Sequence, residues 1–111
     1  MKQSKHTTFI HPHTVAKTPL QQAFGLMFRP KQGMLFIFSE TKKYPIHMLF
    51  VFYPIWAIWL DENKTIIDIK KAYPFMPYIA HKGNAAFLFE TPFPHSVKIG
   101  EKLDWHEHKT K

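Results

Sequence analysis

The sequence predicts an α+β domain that is mostly β, built as a small antiparallel β-barrel or a strongly bent sheet with one or two short helices. Short apolar segments of strand length alternate along the chain with turns containing proline, glycine and asparagine. Aromatic residues make up 16% of the chain, and 11 of them are phenylalanine, which supplies a large core. A clear helix start signal occurs at one position, Thr18.

The N-terminal part contains the first strand and that helix signal. A strand is predicted over Thr7–Ala16, where Pro12 places it at a sheet edge or a bulge. In the helix that follows, Thr18 is the N-cap, Pro19 occupies the first position and Gln21 completes a capping box. Apolar residues recur there at three- and four-residue spacing and predict one buried face, formed by Leu20, Ala23, Phe24 and Met27.

The middle of the chain is its most apolar part. Met34–Phe38 is apolar on both faces and predicts a buried central strand, followed by a polar loop over Ser39–Tyr44. The next apolar run continues to Leu60, and we interpret it as two buried strands, His47–Phe52 and Ile55–Leu60, joined by a bend.

The length of this run argues against a membrane span. It offers 13 residues between His47 and Asp61, whereas a bilayer core requires ~20. We therefore expect no membrane partner. The first residues also lack the apolar stretch of a secretory signal, so we expect a cytoplasmic protein.

The C-terminal half is predicted to contain further strands joined by stiff loops. The turn Asp61–Lys64 pairs Trp56–Leu60 with Thr65–Ile69 as a hairpin, because Asp and Asn side chains satisfy tight turns. Ala72–Pro77 is too rich in proline for a strand, and Ala85–Glu90 is a buried strand. The remaining predicted elements are a helical turn over Ser96–Gly100 and an edge strand over Lys102–Trp105.

Composition restricts the classes of function. We expect one domain over residues 1–111, with flexible tails at 1–6 and 106–111. The formal net charge is +7, but Arg29 is the only arginine among fifteen basic residues. Because base recognition favours arginine, we expect no specific nucleic-acid partner. The lack of cysteine excludes disulfides and thiolate chemistry, and the lysine-rich composition is compatible with a thermophile source.

Several blocks resemble a known family in order and spacing. They are Phe24–Arg29, Gly33–Phe38, Pro45–Val51, Pro54-Ile55 and Leu60-Asp61, with further matching positions at Pro74, Phe89-Glu90 and Gly100-Glu101. This pattern resembles domain-of-unknown-function family 192 from about Val15 to Leu103. The resemblance implies a compact, mostly antiparallel barrel or highly bent sheet, and it brings no established activity. The family usually has Asp where this chain has Trp56, so any role of that acid is in question here.

Three polar residues are the main candidates for a site. His47 could be a general base or a ligand contact, or a hydrogen-bonded core histidine. Arg29 could bind a carboxylate of a ligand, or pair with Glu90 or Asp61 in the protein itself. Glu90 ends an apolar strand, where burial would raise its pKa and pairing would lower it.

Aromatic and histidine-rich segments provide further candidates. The loop from Tyr73 to Tyr78 has the residue types of a binding groove, although packing over the end of the barrel is the alternative. The pairs His11/His13 and His106/His108 have a spacing that can chelate a metal, but we expect only adventitious binding. We therefore predict no metal site and no cofactor.

The sequence favours a binding domain over an enzyme. It has no G-x-S-x-G motif and no glycine-rich phosphate loop. We expect a small-molecule or protein-binding domain, monomeric or homodimeric, with a cleft near His47 and Arg29 that also involves Glu90, Tyr73 and Tyr78. Two alternatives are a hydrolase-like enzyme that uses His47 with Glu90, and a protein-interaction module that uses exposed aromatic residues, namely Phe50, Phe52 and Trp56.

Overall fold

A five-stranded sheet forms the centre of the molecule in the computed structural model, which describes residues 6–106. The described elements are β1 (Thr7–Phe9), β2 (Thr14–Ala16), α1 (Pro19–Phe24), β3 (Met34–Lys42), β4 (Ile55–Leu60), β5 (Ile66–Ala72), β6 (Ala85–Thr91) and β7 (Lys102–Asp104). The main sheet has the order β2-β3-β6-β4-β5, and β1 pairs in parallel with β7. The mostly β prediction is therefore confirmed. A closed barrel is not confirmed, because no ladder joins the edge strands β2 and β5 within residues 6–106.

The sheet buries a separate apolar cluster on each face, because successive side chains of a strand point to opposite sides. Leu88 of β6 and Trp59 of β4 belong to one cluster. Phe89 and Ile58 belong to the other. Since β6 lies between β3 and β4, it contributes to the middle of both clusters.

The helix begins as predicted but buries a different face. The Gln21 N–H donates to Thr18 Oγ1 at 3.2 Å and the Gln21 side chain accepts from the Thr18 N–H, so the capping box is confirmed. The prediction of a buried apolar face that includes Phe24 is wrong, because the Phe24 side chain is 53% exposed. The Gln22 amide instead donates to the Ala16 and Ile37 carbonyls at 3.1 and 2.8 Å, and Leu26 beyond the helix is buried. The six-residue helix is anchored to backbone acceptors of the sheet through Gln22.

The prediction of two strands within the apolar run is half wrong. Ile55–Leu60 is β4, but His47–Phe52 is a loop with a turn at Leu49-Phe50. This loop runs beside the segment 73–79: Ile46 forms a bridge with Ile79, and the Met48 N–H donates to the Met76 carbonyl. The backbone of this loop forms hydrogen bonds with another loop and not with a strand of the sheet. None of the helices within residues 6–106 is long and apolar enough to cross a membrane.

Other predicted boundaries also change. The predicted strand Thr7–Ala16 is broken around Pro12 into β1 and β2, as a residue without an N–H would favour. β3 continues to Lys42 through the predicted polar loop. Ser96–Gly100 is not helical, and Gly100 donates its N–H to the Ile66 carbonyl in a turn with φ +97°. The predicted tails lie almost entirely outside the described residues.

The hairpin between β4 and β5 forms as the sequence predicts. Asp61 Oδ1 accepts the backbone N–H groups of Asn63 and Thr65 at 2.8 and 3.0 Å. β4 pairs antiparallel with β5 up to Ile55 opposite Ala72. This hairpin defines one end of the molecule, and the loops before β4 and after β5 lie at the other end.

A tryptophan and a histidine fix the position of Tyr44 between β3 and the following loop. Trp59 Nε1 donates to the Tyr44 carbonyl at 2.9 Å, and His81 Nε2 accepts the Tyr44 N–H at 2.8 Å. The two rings stack with centroids 4.6 Å apart. Burial lowers the pKa of His81, and its Nδ1 lies 3.0 Å from the Lys82 carbonyl, so the neutral ring carries its proton on Nδ1.

We predict that this contact stabilises the fold. Replacement of His81 by Phe keeps the stacking but removes the acceptor for the Tyr44 N–H, and should lower the free energy of unfolding by about 1–3 kcal/mol. Chemical denaturation at neutral pH measures the loss. The matched replacement His13→Phe at an exposed position should change it by less than about 0.5 kcal/mol. Equal effects of the two replacements would contradict the assigned role of His81.

Candidate functional site

A cavity of about 430 Å³ lies on the Leu88 face of the sheet. Its walls come from α1 and the residues that follow it, from β3 and β6, and from the loop 44–51. Phe36, Phe38, Val51 and Leu88 provide apolar surface, while Gln22, His47 and Glu90 provide polar groups. Such a mixture is typical of small-molecule sites.

Glu90 is the most unusual group in this wall. The strand alternation that places Phe89 on one face places Glu90 on the other, where it is only 6% exposed. Within residues 6–106 its carboxyl group forms no hydrogen bond or ion pair, and the fully enclosed side-chain atoms without a partner are His95 Nε2 and Trp105 Nε1, not the oxygens of Glu90. Burial raises the pKa of Glu90 to about 8. Glu90 therefore carries a proton at neutral pH and presents both a donor and an acceptor.

Tyr53 connects the surroundings of Glu90 with Arg29. Its hydroxyl lies 3.1 Å from the Arg29 carbonyl and 3.0 Å from the Pro30 carbonyl. Burial raises the pKa of Tyr53, the nearby Glu90 raises it further, and Arg29 lowers it. Tyr53 thus holds the segment after α1 against the loop that leads into β4. Sequence reasoning treated Tyr53 only as part of a bend.

His47 lines the cavity but is not a core histidine. Its side chain is exposed, and Nδ1 accepts the Leu49 N–H at 3.1 Å. His47 and Glu90 therefore contribute to the same cavity, without a hydrogen bond between them. Within residues 6–106 the buried histidine is His81, which was not singled out from the sequence. No local signal separates the two, because burial of His81 depends on long-range packing against Trp59.

Arg29 forms no ion pair with Glu90 or Asp61, which was one of the two alternatives considered for it. The ion pairs within residues 6–106 join Lys42 to Glu40 and Lys64 to Asp104. Arg29 is half-buried and lies outside the cavity wall, with its carbonyl near Tyr53. The guanidinium of Arg29 therefore does not form an ion pair with the carboxyl group of Glu90.

Tyr73 and Tyr78 also lie outside the cavity wall. They are 54% and 66% exposed, and Lys71 Nζ lies 5.9 Å from the Tyr73 ring. The structure thus places His47 and Glu90 in one cavity and leaves Arg29, Tyr73 and Tyr78 around it. Gln22, which sequence reasoning did not propose, lines the same cavity.

The position of the family's usual Asp lies on the opposite face of the sheet. Trp56 packs edge-on against His95 with ring centroids 4.8 Å apart, and Lys71 Nζ lies 4.5 Å from the Trp56 ring. His95 lines a second, smaller hollow with Ile58 and Phe89. An acid at position 56 would therefore not reach the cavity that contains Glu90.

The described residues contain no cluster suited to a metal. Within 6–106, no three His, Asp or Glu side chains are close enough to hold an ion. His11 lies beside Phe9, with ring centroids 6.0 Å apart, and His106 packs edge-on against the same ring. His108, the other half of the predicted C-terminal pair, lies outside the described residues.

Comparisons with known proteins identify the family. The model for domain-of-unknown-function family 192, described as Uncharacterized ACR, matches residues 2–105. A UPF0127 protein from Thermococcus sibiricus is 33% identical over 99 residues, which cover 82% of this chain and 64% of that protein. A UPF0127 protein from Pyrococcus horikoshii is 30% identical over 112 aligned positions, which cover 95% and 96% of the two chains.

Two solved structures share the fold. A protein from Sinorhizobium meliloti 1021, provisionally described as a transcription regulator, superposes with a TM-score of 0.66 and 28% identity over 70% of this chain and 65% of its own. A protein of unknown function from Novosphingobium aromaticivorans gives a TM-score of 0.74 and 23% identity over 80% and 71% of the two chains. The resemblance noted in the sequence is thereby confirmed, and the chain belongs to domain-of-unknown-function family 192.

Proposed function

We propose that this domain binds a small, mostly apolar molecule in the cavity on the Leu88 face of the sheet. The observation that carries the proposal is the buried carboxyl group of Glu90, which lines this cavity and has no described partner in the protein. Because the carboxyl group lines the cavity and has no partner in the protein, a ligand that pairs with it gains a hydrogen bond in a poorly hydrated wall. The volume of about 430 Å³ falls in the range usual for small-molecule sites.

The state of Glu90 limits the chemistry of the ligand. With a pKa of about 8, the group is a neutral acid at pH 7 that donates through its hydroxyl and accepts through its carbonyl. This arrangement suits an uncharged group with both functions, such as an amide. The aromatic rings of Phe36 and Phe38 would cover the apolar part of the ligand, and His47 would contact it from the exposed side.

Binding is better supported than catalysis. A hydrolase that used His47 with Glu90 would need the base within hydrogen-bond reach of its acid or of a substrate. The described contacts of His47 include the Leu49 N–H but not Glu90. Of the contacts expected from the sequence, the proposal keeps His47 and Glu90 and gives Arg29, Tyr73 and Tyr78 no direct role in the cavity.

We predict that Glu90 determines affinity for uncharged ligands. A library of aryl amides screened by NMR at pH 7 should contain binders that shift the resonances of Phe36 and Leu88. Glu90→Leu should weaken these binders about tenfold to a hundredfold, because one hydrogen bond to a buried group is lost. Glu90→Gln, which keeps a donor and an acceptor, should stay within a few fold of the parent.

The exposed acid Glu62 provides the control, since it lies in the hairpin turn far from the cavity. Glu62→Leu should leave binding unchanged. The proposal fails if no amide binds, or if Glu90→Leu and Glu62→Leu bind the amides equally well.

We also predict that Glu90 makes stability fall as pH rises. Its pKa increases from an ordinary 4.5 to about 8 on folding, so between these values the unfolded chain releases the proton and the folded chain keeps it. The stability present below pH 4.5 is therefore lost progressively up to pH 8. From pH 5 to pH 8 the parent should lose on the order of 3–4 kcal/mol relative to Glu90→Gln.

Urea denaturation of both proteins across this range measures the difference. Contributions that do not involve Glu90 are common to the two proteins and cancel. Parallel stability curves for parent and Glu90→Gln would show that Glu90 does not keep its proton in the folded protein.

A further inference from the structure

Four phenylalanine side chains form an exposed cluster, here called the phenylalanine tip, at the end of the molecule opposite the β4–β5 hairpin. Phe28, Phe50, Phe52 and Phe75 are 68%, 46%, 59% and 50% exposed. Phe28 stacks on Phe50 with centroids 4.9 Å apart, and Phe52 contacts Phe75 at 5.4 Å. These four rings come from three separate loops, so the cluster is a product of the fold and not of local sequence.

Three of these rings lie at strained positions of reverse turns. In each turn the Phe is the third of four residues, and the N–H of the fourth residue donates to the carbonyl of the first. The three donor–acceptor pairs are Arg29 with Leu26, Val51 with Met48, and Met76 with Tyr73. The φ angles of Phe28, Phe50 and Phe75 are +59°, +60° and +67°. The third residue of such a turn adopts a left-handed conformation, and Gly or Asn usually occupies it because a bulky side chain is disfavoured there.

The backbone keeps the three turns together. The Phe28 N–H donates to the Phe50 carbonyl at 2.9 Å, and the Phe75 N–H donates to the Met48 carbonyl at 2.8 Å. These hydrogen bonds fix the backbone of the turns, so the three rings stay exposed to solvent although their positive φ angles are sterically unfavourable. Turn preference does not account for phenylalanine at these positions, and mutual stacking still leaves 46–68% of each side chain exposed, which favours a contact outside the protein.

The charges around the tip are of one sign. Arg29 and Lys31 follow Phe28, and Lys71 precedes Tyr73. The segments 24–33, 45–54 and 71–84 contain no Asp or Glu. Of the acids within residues 6–106, Asp61, Glu62, Glu101 and Asp104 lie at the hairpin end, and Glu40, Asp68 and Glu90 lie on β3, β5 and β6. Because the tip combines apolar rings with basic residues, it complements a surface that is both apolar and anionic.

We propose that the phenylalanine tip inserts into the surface of a lipid bilayer that contains anionic headgroups. Phenyl rings without polar atoms suit the boundary between headgroups and acyl chains, and lysines beside them are attracted to anionic lipid. Symmetric pairing of two copies would instead bring Arg29, Lys31 and Lys71 of both copies together. Protein interfaces rely mainly on Trp, Tyr and Arg in pockets, which bare rings at turn apices do not provide. The sequence analysis expected no membrane partner because the apolar run is too short to span a bilayer. That length does not bear on loop tips that insert into one surface of the bilayer.

Sedimentation of the full chain with lipid vesicles tests this proposal. The protein should bind vesicles of phosphatidylcholine mixed with phosphatidylglycerol, bind phosphatidylcholine alone more weakly, and bind less as salt is raised. Phe28→Asn, Phe50→Asn and Phe75→Asn should each weaken binding about tenfold, and the triple variant should lose it. Asn tolerates positive φ, so these variants should unfold at the same denaturant concentration as the parent or at a higher one.

The control is Ile99→Asn, which removes an exposed apolar side chain (60% exposed) beside Gly100 at the hairpin end. It should bind vesicles like the parent. The proposal is overturned if the parent ignores anionic vesicles, or if the triple variant folds and binds them fully. It is also overturned if the triple variant instead abolishes a dimer seen by light scattering, or binding to poly-glutamate, because a second copy or an acidic protein would then be the partner.

Discussion

The burial of Glu90 follows from the position of β6 in the sheet. β6 is paired on both sides, with β3 and with β4, so neither of its edges is open to solvent, and an apolar cluster covers each of its faces. Phe89 fills the core of one face, and strand alternation then leaves Glu90 no direction except toward the other. A shift of pairing by one residue would put Phe89 into the cavity and Glu90 into the opposite apolar cluster. The register of this strand therefore fixes both the core and the chemistry of the cavity wall.

Local signals predicted the parts of the fold that local contacts determine. The capping box at Thr18 and the Asx turn at Asp61 involve residues a few positions apart, and both form as the sequence indicates. The His47–Phe52 segment has the composition of a strand, yet its backbone partners lie about thirty residues away in the loop 73–79. Composition carries no information about that pairing, so the prediction of a buried strand was wrong.

The candidate site was predictable only in part for the same reason. Glu90 and His47 drew attention as polar residues in apolar segments, and both line the cavity. Arg29 was a candidate ligand contact or a partner of Glu90 or Asp61, but either role depends on three-dimensional distance, which a count of residue types does not contain. The replacement of the family's Asp by Trp56 raised the question of a lost active site. Trp56 faces His95 on the other side of the sheet, so this replacement leaves the Glu90 cavity unaltered.

The hydrogen bond between the Phe28 N–H and the Phe50 carbonyl joins two loops that also form walls of the cavity. Leu26 and Met27 line the cavity from one of these loops, and His47 and Val51 line it from the other. The bond therefore connects the two loops on this side of the cavity. Tyr53 joins the same two segments through the Arg29 and Pro30 carbonyls, and Phe28 stacks on Phe50, so this wall of the cavity and the phenylalanine tip share one set of contacts.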